Sequence, residues 1–146
     1  MSLHSYTRCW IHLIWGTHNR EKILTAEACE QLKKYLLSYA KEKKIFIRQI
    51  FVNPDHVHIL LDLPTNMTIE DIAHLLKGSS SNWLNKSNLL KTKFAWGRGY
   101  GAFSVSHSVV NKVLYYIENQ KEHHRKRSFS EEYEEFIKLY GLKVNR

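Results

Sequence analysis

From Arg8 to Gly16 the chain alternates, with Cys9, Ile11, Leu13 and Trp15 on one side and Arg8, Trp10, His12 and Ile14 on the other. Strand side chains alternate with period 2, and aromatic and β-branched residues favour extended backbone, so this stretch predicts a first strand. The period then changes. Thr25 is a good helix N-cap, Glu27 sits near the positive end of the helix dipole, and Ala28, Leu32, Tyr35, Leu36 and Tyr39 recur at helical spacing to about Lys44. Ile45 to Val52 predicts a second strand, Asn53-Pro54-Asp55 a tight turn, and Val57 to Leu63 a third strand antiparallel to the second. After Pro64, Thr68 caps a second helix with Glu70 and Asp71 in its first turn and Ile72, Leu75 and Leu76 along one face. It runs to about Asn85 through Gly78, which weakens it. Phe94 to Trp96 and Gly101 to Ser106 predict two short final strands joined by a glycine-rich loop. A third helix runs from about Ser108 to beyond Gln120, and a capping signal at Ser130 opens a stripe of Tyr133, Phe136, Ile137 and Tyr140.

The order β-α-β-β-α-β is that of the split βαβ, ferredoxin-like α+β fold. Helices would cover one face of an antiparallel sheet, and the other face stays open unless something docks on it. The length of 146 residues fits a single domain over 1–146, with no repeat or linker to divide it. Hydrophobic residues make up 43%, enough for an ordinary core. No apolar run approaches the roughly 20 residues that span a bilayer, and the polar N-terminus lacks a signal-peptide layout. Cys9 and Cys29 have no CxxC spacing and read as reduced thiols of a cytoplasmic protein. The 22 lysines and arginines against 14 acids, a net charge of +8, favour a polyanionic partner.

Candidate chemistry starts at His56-Val57-His58. On a strand these two imidazoles share a face while Val57, Ile59 and Leu61 take the other, so the histidines belong to the open face if the aliphatic residues meet the helices. Two adjacent imidazoles supply two ligands for a divalent metal. On the third helix, Val109, Val110, Val113, Leu114 and Ile117 define an apolar face. Tyr115 lies almost opposite its centre, whereas Tyr116 lies at its border on a flank shared with Lys112, Gln120 and His123. Tyr116 and Gln120, four apart, are neighbours. Two imidazoles and a carboxamide oxygen make three ligands for Mg²⁺ or Mn²⁺, which would polarise a phosphate for attack by tyrosine, a weak nucleophile at its free pKa of about 10.

These residues resemble the HUH single-tyrosine transposases of insertion sequences, including the REP-associated tyrosine transposases. His56-Val57-His58 is similar to their His-hydrophobe-His motif, and Tyr116 with Gln120 to their nucleophile and helix-borne ligand. The Asn53-Pro54-Asp55 approach, Leu76 to Ser80, and Trp96 to Ser106 extend the resemblance over roughly residues 5 to 140. It implies a single-stranded DNA substrate, often an imperfect hairpin, a tyrosine linked to a 5′-phosphate with release of a free 3′-OH, and a homodimer. Members that exchange the tyrosine helix between subunits often carry a glycine pair before it. This chain has Ser106-His107-Ser108 there, so assembly in cis or in trans stays open.

Competing readings attach to each residue. Lys77, Arg98, Lys112, His123, Arg125 and Lys126 are candidates for the DNA path, and a solvated basic surface explains them equally well. Trp83, Trp96 and Tyr100 are candidates for stacking on unpaired bases, against ordinary core packing. His12 is a candidate to share the histidine face of the sheet, against the favoured reading of a strand histidine near a sheet edge. Two other functions compete with strand transfer: a non-catalytic binder of single-stranded DNA hairpins, and a phosphohydrolase that uses water and forms no covalent intermediate.

Overall fold

The computed structural model describes residues 5–119 and residue 131. Four strands, β1 (Trp10–Gly16), β2 (Phe46–Val52), β3 (His56–Asp62) and β4 (Gly101–Val105), form one sheet in the order β2-β3-β1-β4. Every pairing is antiparallel. With α1 (Ala26–Glu42) between β1 and β2 and α2 (Ile69–Ser87) between β3 and β4, this is the expected ferredoxin-like α+β topology.

The local signals act as their chemistry demands. The Thr25 side chain accepts from the amide of Ala28 at 3.1 Å, satisfying one of the orphan donors that open α1. Thr68 and Asp71 form a reciprocal capping box at the start of α2, with both bonds at 3.0 Å. The Thr68 donor holds the Asp71 carboxyl below its usual pKa. Gly78 sits in open space and does not break α2, because Ala73, Leu76, Ser80 and Leu84 bury its inner face along the whole length.

The sheet is covered on both sides. Ile11, Leu13 and Trp15 of β1 and Val57, Ile59 and Leu61 of β3 pack under Leu32 and Leu36 of α1 and Ile72 and Leu76 of α2. The opposite face is met by α3 (Val110–Glu118), whose Val110 and Ile117 join Trp10, Leu60 and Val105 in a second, smaller cluster. A helix this short owes its stability to packing, and each fully buried aliphatic side chain contributes roughly 1.5–3 kcal/mol.

Three expectations are corrected. Phe94 to Trp96 is not a strand: its only pairing among the described residues is one bridge, Trp96 with Thr17. Asn85 instead satisfies both backbone groups of Phe94, its amide oxygen accepting from the Phe94 N–H at 2.7 Å and its Nδ2 donating to the carbonyl at 3.0 Å. The third helix opens as a 3₁₀ turn over His107–Val109, and its α-helical part starts at Val110 rather than Ser108. His12 is not near an edge. β4 pairs along the outer side of β1, which puts β1 inside the sheet and buries His12 completely. The tail stripe from Ser130 lies outside the described residues, apart from the helical Glu131. No helix among the described residues is long and apolar enough to cross a membrane.

Candidate functional site

The face under α3 carries three buried histidines. His12 comes from β1, and His56 and His58 from β3. Register explains the gathering: Gly16 pairs with His56 and Ile14 with His58, so residues 12, 14 and 16 run alongside the His56-Val57-His58 motif on the same side of the pleat. The His56 and His58 rings lie 4.9 Å apart, and the His12 and His58 rings 5.1 Å apart.

Each motif histidine has its Nδ1 held. His56 Nδ1 lies 2.7 Å from a carboxylate oxygen of buried Asp55, and His58 Nδ1 lies 2.9 Å from His12 Nε2. Metal-binding histidines regularly donate the ring N–H that does not face the metal to such a partner, which fixes the tautomer and the ring orientation. His56 Nε2 stands 3.2 Å from the Asn53 side-chain amide. The turn Asn53-Pro54-Asp55 therefore grips His56 from two sides, and an ion bound at its Nε2 would displace the Asn53 amide. The Asp55 charge also acts on Cys29, whose thiol is pushed up to about 11 by burial first and by Asp55 second. Among the described residues no three histidine, cysteine or acidic side chains form a metal-binding group. Imidazoles with fixed Nδ1 partners nevertheless fit a divalent ion as two of its ligands.

α3 brings its tyrosine to this face. The Tyr116 ring lies 5.9 Å from the His58 ring at a steep angle, half-buried beside the second cluster. Tyr115 points away and is 67% exposed. The helix border drawn from sequence thus separates the two tyrosines correctly. Trp10 Nε1 donates to His107 Nδ1 at 3.2 Å and Gln49 Nε2 to Glu118 at 3.4 Å, tying the 3₁₀ turn before α3 to β1 and the last residue of α3 to β2. Gln120, His123, Arg125 and Lys126 lie outside the described residues.

The remaining basic candidates separate by environment. Lys112 is exposed on α3, and Arg98 is exposed in the glycine-rich loop. Lys77 is half-buried, and its ammonium donates to the carbonyls of Gly97 at 2.9 Å and Gly99 at 2.8 Å; burial pulls its pKa down. Trp83 stacks on Tyr35 at 4.8 Å, and Trp96 packs edge-on against Trp15 and Phe94 while donating to Ser80. Both tryptophans are thereby packing residues. Sequence reasoning allowed His12 a place on the histidine face but favoured an edge position; its alternation with Ile14 was the available signal, and the interior position of its strand was not legible.

Known proteins resemble this chain in sequence and in fold. A family model for IS200-like transposases matches residues 5–120. The ISDra2 transposase TnpA of Deinococcus radiodurans is 32% identical over 75% of this chain and 81% of its own. The transposase for insertion sequence element IS200 of Salmonella typhimurium is 27% identical over 82% of this chain and 81% of its own. Among solved structures, a candidate transposase from Deinococcus radiodurans R1 superposes with a TM-score of 0.67 at 29% identity, covering 82% of this chain and 96% of that one. A REP-associated tyrosine transposase bound to a REP hairpin has the same fold, with a TM-score of 0.63 at 16% identity over 85% of this chain and 74% of that one. With a family match over most of its length and a histidine face built on the shared fold, the chain belongs to the IS200-like transposase family.

Proposed function

We propose that the chain is a DNA strand transferase that cleaves and rejoins single-stranded, hairpin-forming DNA through Tyr116. The observation that carries this reading is the Tyr116 ring standing 5.9 Å from His58 on the histidine face while Tyr115 faces solvent. In the forward step the Tyr116 Oη–P bond forms and the P–O3′ bond breaks. The phenolic proton leaves and a proton ends on O3′, giving a 5′-phosphotyrosine and a free 3′-OH. Reversal with a different 3′-OH rejoins the strand, so the bond energy is kept and no external energy source is needed.

His56 and His58 would hold a divalent ion, Mg²⁺ or Mn²⁺, with the Gln120 carboxamide as a third ligand. When bound, such an ion polarises the scissile phosphate. Asp55 and His12 would hold the Nδ1 protons of the two imidazoles, which leaves Nε2 as the ligand atom of each. The second cluster, with Val110 and Ile117 at its centre, holds Tyr116 at the edge of the face. Lys112, Arg98, His123, Arg125 and Lys126 supply positive charge for the DNA backbone, whose neutralisation makes binding salt-dependent. The hairpin carried by the REP-associated relative supports a hairpin substrate here. The contact between Tyr116 and His58 within one chain supports assembly in cis, in which case a homodimer pairs two complete sites. A binding-only protein has no use for a histidine pair with fixed tautomers beside a tyrosine.

The test is incubation with labelled single-stranded hairpin DNA and Mn²⁺, resolved on a denaturing gel. The wild-type chain yields a covalent protein–DNA band that disappears in Tyr116→Phe and without metal. Turnover with no covalent band would leave the phosphohydrolase reading, and binding without cleavage the binding-only reading.

A further inference from the structure

Beside the histidine face lies a cleft of about 370 Å³, bordered by Gly16, Thr17, Asn19, Arg20, Arg98 and Tyr100. Its floor includes Ile14, which pairs with His58 on one side and Gly101 on the other, and Gly16, which pairs with His56. The cleft therefore lies at the end of β1 that pairs with His56, with Tyr100 forming its wall on the side of the helix-packed core. Among the described residues that border it, two are arginines, one is a half-buried tyrosine, and none is acidic. Its size is at the low end for small-ligand pockets, about 300–1,000 Å³, room for one nucleotide and not for a duplex.

The walls are closely hydrogen-bonded. Asn19 and Arg20 both adopt φ of 55°, left-handed backbone that costs a non-glycine residue roughly 1–2 kcal/mol. The turn is held by the Arg20 N–H on the Thr17 carbonyl at 2.9 Å and by the Thr17 hydroxyl on the Glu21 carbonyl at 2.6 Å. Opposite, the Gly97 N–H donates to the Gly16 carbonyl at 2.8 Å, and a Cβ on Gly97 would come within 3.1 Å of the Thr17 carbonyl oxygen. Gly99 has φ of 79°, and the Lys77 ammonium ties the carbonyls on both sides of Arg98. Strain so closely braced is found at sites that must present a fixed surface.

We infer that this cleft seats one unpaired nucleotide of the DNA strand next to the phosphate presented at His56, its base against Tyr100 and its phosphate on Arg98. The inference rests on the strand-transfer reading for the identity of the strand. Its chemistry is that of single-strand binding in general: a π-face for any base and a cation for the backbone. Lys77 thereby acts through the loop rather than on DNA directly.

The probe is a twelve-nucleotide oligo(dT) carrying one 5-iododeoxyuridine, irradiated with the full-length Tyr116→Phe chain without divalent metal, so that cleavage plays no part. Mass mapping should place the cross-link on Tyr100. Tyr100→Leu should lose it and about tenfold in affinity, whereas Tyr100→Phe keeps both. Arg98→Ala should reduce the slope of log affinity against log salt by about 1. Absence of oligo(dT) binding at low salt, cross-links only elsewhere, or an unchanged cross-link in Tyr100→Leu would overturn the inference. Failure of the wild-type chain to form a covalent adduct in the separate Mn²⁺ assay, with the Tyr100 cross-link intact, would instead sink strand transfer alone.

Discussion

His12 Nε2 stands 2.9 Å from His58 Nδ1, with both rings fully buried. For His58 to offer Nε2 to a metal, its Nδ1 must carry the proton and donate it to His12, so a residue outside the His-Val-His motif fixes the motif's tautomer. Replacing His12 by Leu removes that acceptor, and Mn²⁺ affinity should fall about 10- to 100-fold, the usual effect of losing such a partner. His12→Gln, whose side-chain oxygen can take the place of Nε2, should recover most of it. Titration of the DNA-free chain by Mn²⁺ electron paramagnetic resonance measures both; equal affinity in the Leu variant would remove His12 from the site.

Asp55 can be followed through a neighbour. Its charge is the second cause, after burial, of the rise of the Cys29 thiol from 9.0 to about 11. Folding therefore holds a proton that the unfolded chain releases, and this contribution to stability is complete below pH 9 and is lost as pH climbs towards 11. Asp55→Asn should lower the Cys29 pKa while leaving the larger effect of burial. Alkylation of Cys29 at pH 9 should then speed up yet stay slower than that of exposed Cys9, as read by peptide mass spectrometry.

Ile117 anchors α3 with no exposed surface. Ile117→Ala should cost about 2–5 kcal/mol of local packing. Because α3 is short and touches the sheet through a small cluster, the loss should appear as faster hydrogen exchange over residues 110–118, with α1 and α2 unchanged. Adduct formation should fall with it, since Tyr116 rides on the same helix.

The parts legible in the sequence are those where one face is decided locally. Val57, Ile59 and Leu61 against His56 and His58 gave the correct division of the sheet, because period 2 leaves a strand no other choice once one side is apolar. Thr25 and Thr68 marked helix starts through short-range capping. Tyr116 was separated from Tyr115 by helix geometry alone. What could not be read depends on contacts outside each segment's own pattern. His12 is interior because β4 pairs beside β1, a contact across about ninety positions. Phe94 fails to join a strand because Asn85 satisfies its backbone. Lys77 looks like a surface cation in the sequence and serves as a clamp only because residues 97–99 fold back over α2.

The central claim is that Tyr116, and no other residue, carries the DNA. The most direct measurement is mass mapping of the covalent species trapped from wild-type protein, single-stranded hairpin DNA and Mn²⁺, after nuclease and protease digestion. The predicted result is a nucleotide joined through its 5′-phosphate to Tyr116, with Tyr115 unmodified. A nucleotide on Tyr115, or cleavage with neither tyrosine modified, would contradict it.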